Sequence, residues 1–157
     1  MICVSNTSPI SYLVEIGCAD ILPHLIGDVV ISPTVLAELR HPKSPVAGWA
    51  AHLPRWLQVV APHAVDRSIA LDLGELEAIS LATELSADLF LVDEALGRRV
   101  ARSRGLKVAG TLGVLLEAGL TGMIAFEPAI ARLLATNFYI GSELLEDLQR
   151  EFNRRKH

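Results

Sequence analysis

The residues able to do chemistry concentrate between Leu71 and Gly105, and most of them are carboxylates. An acidic helix start, Asp72-Leu73-Gly74-Glu75-Leu76-Glu77, precedes an apolar run, Leu89-Phe90-Leu91-Val92, that stops abruptly at Asp93-Glu94. Apolar residues framed by Asp88 and Asp93 fit a strand buried on both faces, as in a parallel sheet covered by helices. In an open α/β sheet the reactive crevice lies outside the carboxyl ends of the strands, so Asp93 falls where ligands bind. Two more polar residues follow strands in the same way: Asn6 after Ile2-Cys3-Val4, and Glu38 in the helix after Val29-Val30-Ile31. Glu75, or Glu77 in its place, completes a set of carboxylates with one amide oxygen. Like charges a few ångströms apart do not all ionise unaided, so such a set calls for a cation. Hard oxygen donors suit Mg²⁺ or Mn²⁺, which lower the pKa of a bound water and clamp the oxygens of an in-line phosphodiester displacement.

The elements that would position these groups are legible in order. Ser8 caps and Pro9 opens a helix striped by Ile10, Leu13 and Val14 and ended by Gly17. A short helical segment follows over 20–26. Ser32-Pro33 repeats the cap-then-proline pattern before a helix through Arg40 with Val35, Leu36 and Leu39 inward and Glu38 on the flank. The proline-rich stretch 41–54 reads as an irregular connection with one helical turn over 46–52, and 57–60 as a short strand. Leu76, Ile79, Ala82 and Leu85 recur at helical spacing, with Ala78 and Leu81 widening the face. A helix over 95–104, a strand over 107–110 and a helix from Thr111 to about Ala118 follow. Stripes at Ile130, Leu133 and Leu134 and at Leu144, Leu145, Leu148 and Phe152 give two C-terminal helices within about 127–155. Strands alternating with helices predict one α/β domain over 1–157, a mostly parallel sheet with helices on both faces.

Each candidate also has a plain structural use. Glu75 completes a capping box with Asp72, worth about 0.5–2 kcal/mol to the helix. Glu77 is otherwise a solvated face residue, and Glu38 pairs with Arg40 or water. Asp93 caps the helix after it, with Glu94 at that helix's positive end. Asn6 and Thr7 form a turn and cap. Arg98, Arg99, Arg102, Arg104 and Lys107 either solvate a helix face or position phosphates of a nucleic acid. Trp49 and Trp56, beside Arg55, either stack on bases or anchor a loop or a dimer surface.

Composition narrows the classes. The 157 residues carry a formal net charge of −4, which argues against coating nucleic acid by charge alone and leaves room for a local basic patch. The hydrophobic fraction of 51% is high, yet no stretch has the roughly 18 uninterrupted apolar residues of a membrane span. The excess belongs to a buried sheet or a partner surface, and a homodimer is expected. Two cysteines, Cys3 and Cys18, make neither a disulfide scaffold nor a zinc site. No signal peptide is expected, because the first Lys or Arg is Arg40 and Asn6, Ser8 and Pro9 break the early apolar stretch. A cytoplasmic location follows as the expectation.

Taken together, Val4-Ser5-Asn6-Thr7-Ser8-Pro9-Ile10, Val35-Leu36-Ala37-Glu38-Leu39, Leu73-Gly74-Glu75-Leu76-Glu77-Ala78-Ile79 and Leu91-Val92-Asp93-Glu94-Ala95-Leu96-Gly97-Arg98 fall in the order seen in PIN-domain ribonucleases. The chain resembles a branch of that family similar to VapC-type toxins, and the likeness extends through Gly105-Leu106-Lys107-Val108-Ala109-Gly110-Thr111-Leu112-Gly113. It implies a Rossmann-like three-layer PIN fold, an Mg²⁺ or Mn²⁺ site, endoribonuclease activity on RNA and an antitoxin-like protein partner. Glu38, Glu75 and Asp93 match the family's second, third and fourth acidic positions. Where the first is an aspartate, this chain has Asn6, which keeps an oxygen donor and removes a full negative charge. Thr7, Arg98, Arg99 and Arg102 are the candidate RNA-binding residues. Two competitors remain: a catalytically weak or silent PIN-like module that binds RNA or a partner protein, and a receiver-like phosphoacceptor using Asp93. The second is disfavoured because strand one ends in Asn6 rather than paired acids and Lys107 precedes its strand.

Overall fold

A computed structural model describes residues 1–156. Five short strands form one sheet: β1 Cys3–Ser5, β2 Val29–Ile31, β3 Leu57–Val59, β4 Leu89–Leu91 and β5 Val108–Ala109. Their spatial order is β3-β2-β1-β4-β5, and every neighbouring pair is parallel, so the sheet is wholly rather than mostly parallel. Register runs through the centre as Val4 opposite Val30 on one side and Phe90 on the other.

The period of two in a strand divides its side chains between two cores. Cys3, Val29, Ile31, Leu57 and Leu91 face one layer, where Ile10 and Leu13 of α1 (Thr7–Glu15), Leu22 of α2 (Ile21–Leu25) and Val35 and Leu39 of α3 (Pro33–Arg40) are buried. Leu115 of α7 (Thr111–Leu120) and Leu133 of α8 (Phe126–Leu134) complete that layer. Val4, Val30, Phe90 and Val92 face the other, against Ala78, Ile79, Leu81 and Ala82 of α5 (Leu73–Glu84) and Ala101 of α6 (Ala95–Ser103). The result is a three-layer α/β domain, as the apolar runs predict. The short α4 (Ala47–Ala50) lies in the proline-rich connection, and α9 (Ser142–Arg155) follows α8 as the last helix among the described residues. Trp49 and Trp56, with ring centroids 6.3 Å apart, are partly buried against the larger core.

Local signals place most boundaries within a residue or two. Ser32 caps α3 by accepting the Val35 N–H at 3.1 Å, and Asp72 caps α5 by accepting the Glu75 N–H at 2.9 Å. The first helix differs from the expectation. It begins at Thr7 with Asn6 as its N-cap residue, while Ser8 and Pro9 are already inside. Proline is tolerated throughout a first turn, so Pro9 does not have to mark the opening position.

Candidate active site

The chain winds β1, β2, β3 toward one edge and then returns to place β4 and β5 on the other, so the order reverses between β1 and β4. A crevice opens outside the strand ends at such a switch point. Asn6 and Asp93 flank it. Asn6 is buried, and its backbone N–H donates to the Leu91 carbonyl at 2.9 Å, tying the end of β1 to the end of β4 two residues before Asp93.

Asp93 is met by the start of α7. One carboxylate oxygen accepts the Thr111 backbone N–H at 2.7 Å and the other accepts its hydroxyl at 2.8 Å. Burial still pushes the Asp93 carboxyl above its ordinary range, against those two hydrogen bonds and the nearby Arg98 guanidinium. Glu38 is exposed on α3 and accepts the Thr7 hydroxyl at 3.0 Å, which joins α3 to the first residue of α1. Partial burial, with Asp72 and Glu77 nearby, pushes its carboxyl up despite that bond.

Glu75 is the unusual member. It sits in the first turn of α5, is 5% exposed, and its Oε2 has no hydrogen-bond partner among the described residues. Burial, then Asp72, Glu94 and Glu38, push its pKa up to about 8. Asp72 caps by accepting the Glu75 N–H, and the Glu75 Oε2 finds no partner among the described residues, so that oxygen takes no part in a capping box. Glu77 is not a freely solvated face residue either: its carboxylate accepts the Thr34 N–H at 3.3 Å and fastens α5 to the start of α3. That engagement leaves Glu75 as the ligand candidate of the two.

Three glycines make room for the three acids. A Cβ on Gly97 would stand 2.9 Å from Glu75 Oε2, and one on Gly110 2.8 Å from Asp93 Oδ1; a Cβ on Gly74 would collide with the Glu38 carboxylate. Each glycine lies within a stretch that carries the family resemblance, yet its use depends on a partner far away in the chain. The structure also brings Tyr12 of α1 near enough to Asp93 for that charge to help raise the phenol's pKa, after burial. Sequence reasoning missed Thr111, whose only signal is its place after the glycine that ends the last strand. It also missed the aromatic pair Phe138-Tyr139, whose signal is two adjacent rings in a connection between helices.

The expected gathering of all the acids is only partly met. Glu38 and Glu75 lie within electrostatic reach of each other, whereas Asp93 is drawn onto Thr111. Among the described residues no three His, Cys, Asp or Glu side chains group closely enough to hold a metal ion by themselves. The donor chemistry nonetheless suits a hard cation: carboxylate and amide oxygens, one of them buried and unpartnered. On the basic side, Arg98 is half-buried while Arg99 and Arg102 are exposed, and none of the three makes an ion pair among the described residues; Arg104 instead pairs with Asp66 at 3.0 Å. No helix among the described residues is long and apolar enough to cross a membrane.

Comparison with known proteins adds the family. A family model described as a PIN domain matches residues 2–154. A solved structure of a PilT N-terminus domain protein from the hyperthermophilic archaeon Sulfolobus solfataricus P2 is similar to this chain at 17% identity, covering 90% of this chain and 100% of that one with a TM-score of 0.48. No curated protein matches.

Proposed function

The chain belongs to the PIN-domain family, a nuclease fold family, and from that premise we propose that it is a divalent-metal-dependent endoribonuclease. The observation that carries the reading is the unpartnered oxygen of buried Glu75, close to a sheet switch point flanked by Asn6 and Asp93. An unsatisfied buried carboxylate costs about 1–3 kcal/mol or more, and such costs collect at functional sites. Asn6, Glu38, Glu75 and Asp93 would hold Mg²⁺ or Mn²⁺. When bound, that ion supplies an activated water and a clamp on the phosphodiester oxygens.

The chain's own residues do the rest. Thr111 orients Asp93 through two hydrogen bonds, so its carboxylate is aimed before any ligand arrives. Glu38 lies on an exposed helix face, and its one hydrogen bond to Thr7 is also exposed, so bringing it onto an ion costs little. Thr7, Arg98, Arg99 and Arg102 contribute a hydroxyl and three cations for the RNA phosphates, and binding through them weakens with added salt. The test is cleavage of an unstructured RNA with Mn²⁺ or Mg²⁺ by the wild type and Asp93→Asn. Equal activity in both rules out the proposed site.

A second reading, a silent module that binds RNA or a partner protein, is favoured by Asn6 and by the lack of a closed acidic cluster among the described residues. Calorimetric titration with Mn²⁺ separates the two, since only the nuclease should release heat that depends on Glu38 and Asp93. A role as the toxin of a toxin–antitoxin pair predicts growth arrest on expression, relieved by an antitoxin-like protein encoded beside it.

A further inference from the structure

Beside Asp93 a cavity of about 170 Å³ opens between the start of α6, the start of α7 and the connection from α8 to α9, lined by Asp93, Arg98, Gly110, Phe138, Tyr139 and Leu144. A cavity of roughly 150 Å³ takes one benzene ring, so this one takes one planar base. Its outer wall is fixed in place. The Tyr12 hydroxyl donates to Asn137 Oδ1 at 3.0 Å, the Tyr12 and Phe138 rings meet edge to face at 4.9 Å, and the Phe138 N–H donates to Thr136 Oγ1 at 3.1 Å. Phe138 therefore belongs to the fold, packed against the larger core. Tyr139, its neighbour, does not: it is 89% exposed, the highest among the exposed large hydrophobic residues. Packing gives no reason for a ring in that position. Arg98 completes the lining, near enough to Asp93 for its charge to oppose the rise that burial imposes on the acid's pKa, yet without an ion pair among the described residues.

We infer that this cavity is a nucleoside subsite for single-stranded RNA, in which Tyr139 stacks on one unpaired base while Arg98 holds an adjacent phosphate. The assignment rests on the nuclease reading for its orientation, since Asp93 would face the scissile bond. Stacking needs only a π-face and is tolerant of sequence, whereas a base inside a duplex is not available to the ring. The cavity thus selects unpaired RNA at one position and leaves the remaining contacts to phosphates.

The test uses the full chain in EDTA, where binding is read without cleavage, and two end-labelled probes: hexauridylate and a hexamer of the same backbone without bases. Wild type should bind hexauridylate more tightly than the abasic hexamer. Tyr139→Ala should weaken hexauridylate roughly tenfold and leave the abasic probe unchanged, while Tyr139→Phe retains wild-type binding. Arg98→Gln should weaken both probes and lower the salt slope by about one. Equal loss on both probes for Tyr139→Ala, no loss on either, or no binding of hexauridylate by wild type would overturn the subsite. Cleavage with Mn²⁺ is scored separately. Base-dependent binding without cleavage defeats the nuclease reading and leaves the subsite standing; cleavage with a KM indifferent to Tyr139 defeats the subsite alone.

Discussion

Asp93, just past the end of β4, is held by two donors from the start of α7, whereas Glu75, in the first turn of α5, has an oxygen with no hydrogen-bond partner among the described residues. Both carboxyls are pushed up by burial, but at Asp93 two hydrogen bonds and the Arg98 charge offset part of that cost. The contrast separates two uses of a buried acid. A satisfied one anchors: Asp93 fixes the β4 end to α7. An unsatisfied one costs stability, here with Asp72, Glu94 and Glu38 adding repulsion, and its value lies in what it can bind.

Neutralising each acid in turn should give the largest effects. Glu75→Gln and Asp93→Asn should both reduce Mn²⁺-dependent RNA cleavage by roughly 100-fold or more, since even groups behind metal ligands cost about 10–100-fold. Stability should move in opposite directions. Asp93→Asn leaves one acceptor oxygen where the carboxylate had two, so one donor of buried Thr111 loses its partner, and should destabilise by about 1 kcal/mol in urea unfolding at neutral pH. Glu75→Gln removes a buried charge and should stabilise the fold at pH 8 and above; loss of stability there would mean that Glu75 has a partner after all.

The pH dependence follows from the same residue. Glu75 has a folded pKa raised from 4.5 to about 8, so between those values the folded chain retains a proton that the unfolded chain has released. Its contribution is fully present below the unfolded pKa and is lost as pH rises through the folded one. The melting temperature of the wild type should fall across this window, and Glu75→Gln should flatten the fall. An unchanged slope in the variant would show that Glu75 does not govern it.

Gly97→Ala tests the space beside Glu75. The new methyl would meet Glu75 Oε2 at 2.9 Å and Val92 Cγ2 at 3.0 Å, so a cost of about 1–3 kcal/mol is expected with a matching loss of cleavage. Combined with Glu75→Gln, the two changes should be non-additive in urea unfolding, as for groups in contact. The smallest effect belongs to the anchored acid. Thr111→Val deletes one of its two donors and leaves the backbone N–H, so about 1 kcal/mol of stability is lost. Because that bond favours the charged form, the acid limb of the cleavage profile should shift to higher pH.

The signals readable in the chain are local. Apolar runs bounded by polar residues gave the strands, the 3.6-residue spacing gave α5, and Ser32 and Asp72 announced the helix starts that they cap. Those signals act over a few residues, so one chain displays them, and even there Pro9 misplaced the start of α1 by two positions. How each acid is met is set by the packing of distant elements. Glu77 turns to Thr34, Glu38 to Thr7, Asp93 to Thr111, and Glu75 lies against Gly97 with an oxygen unpaired. Each of these contacts joins residues on different elements. Hydrogen bonding and burial depend on distance in space, and the winding of a parallel sheet sets that distance without leaving a mark in the adjacent sequence.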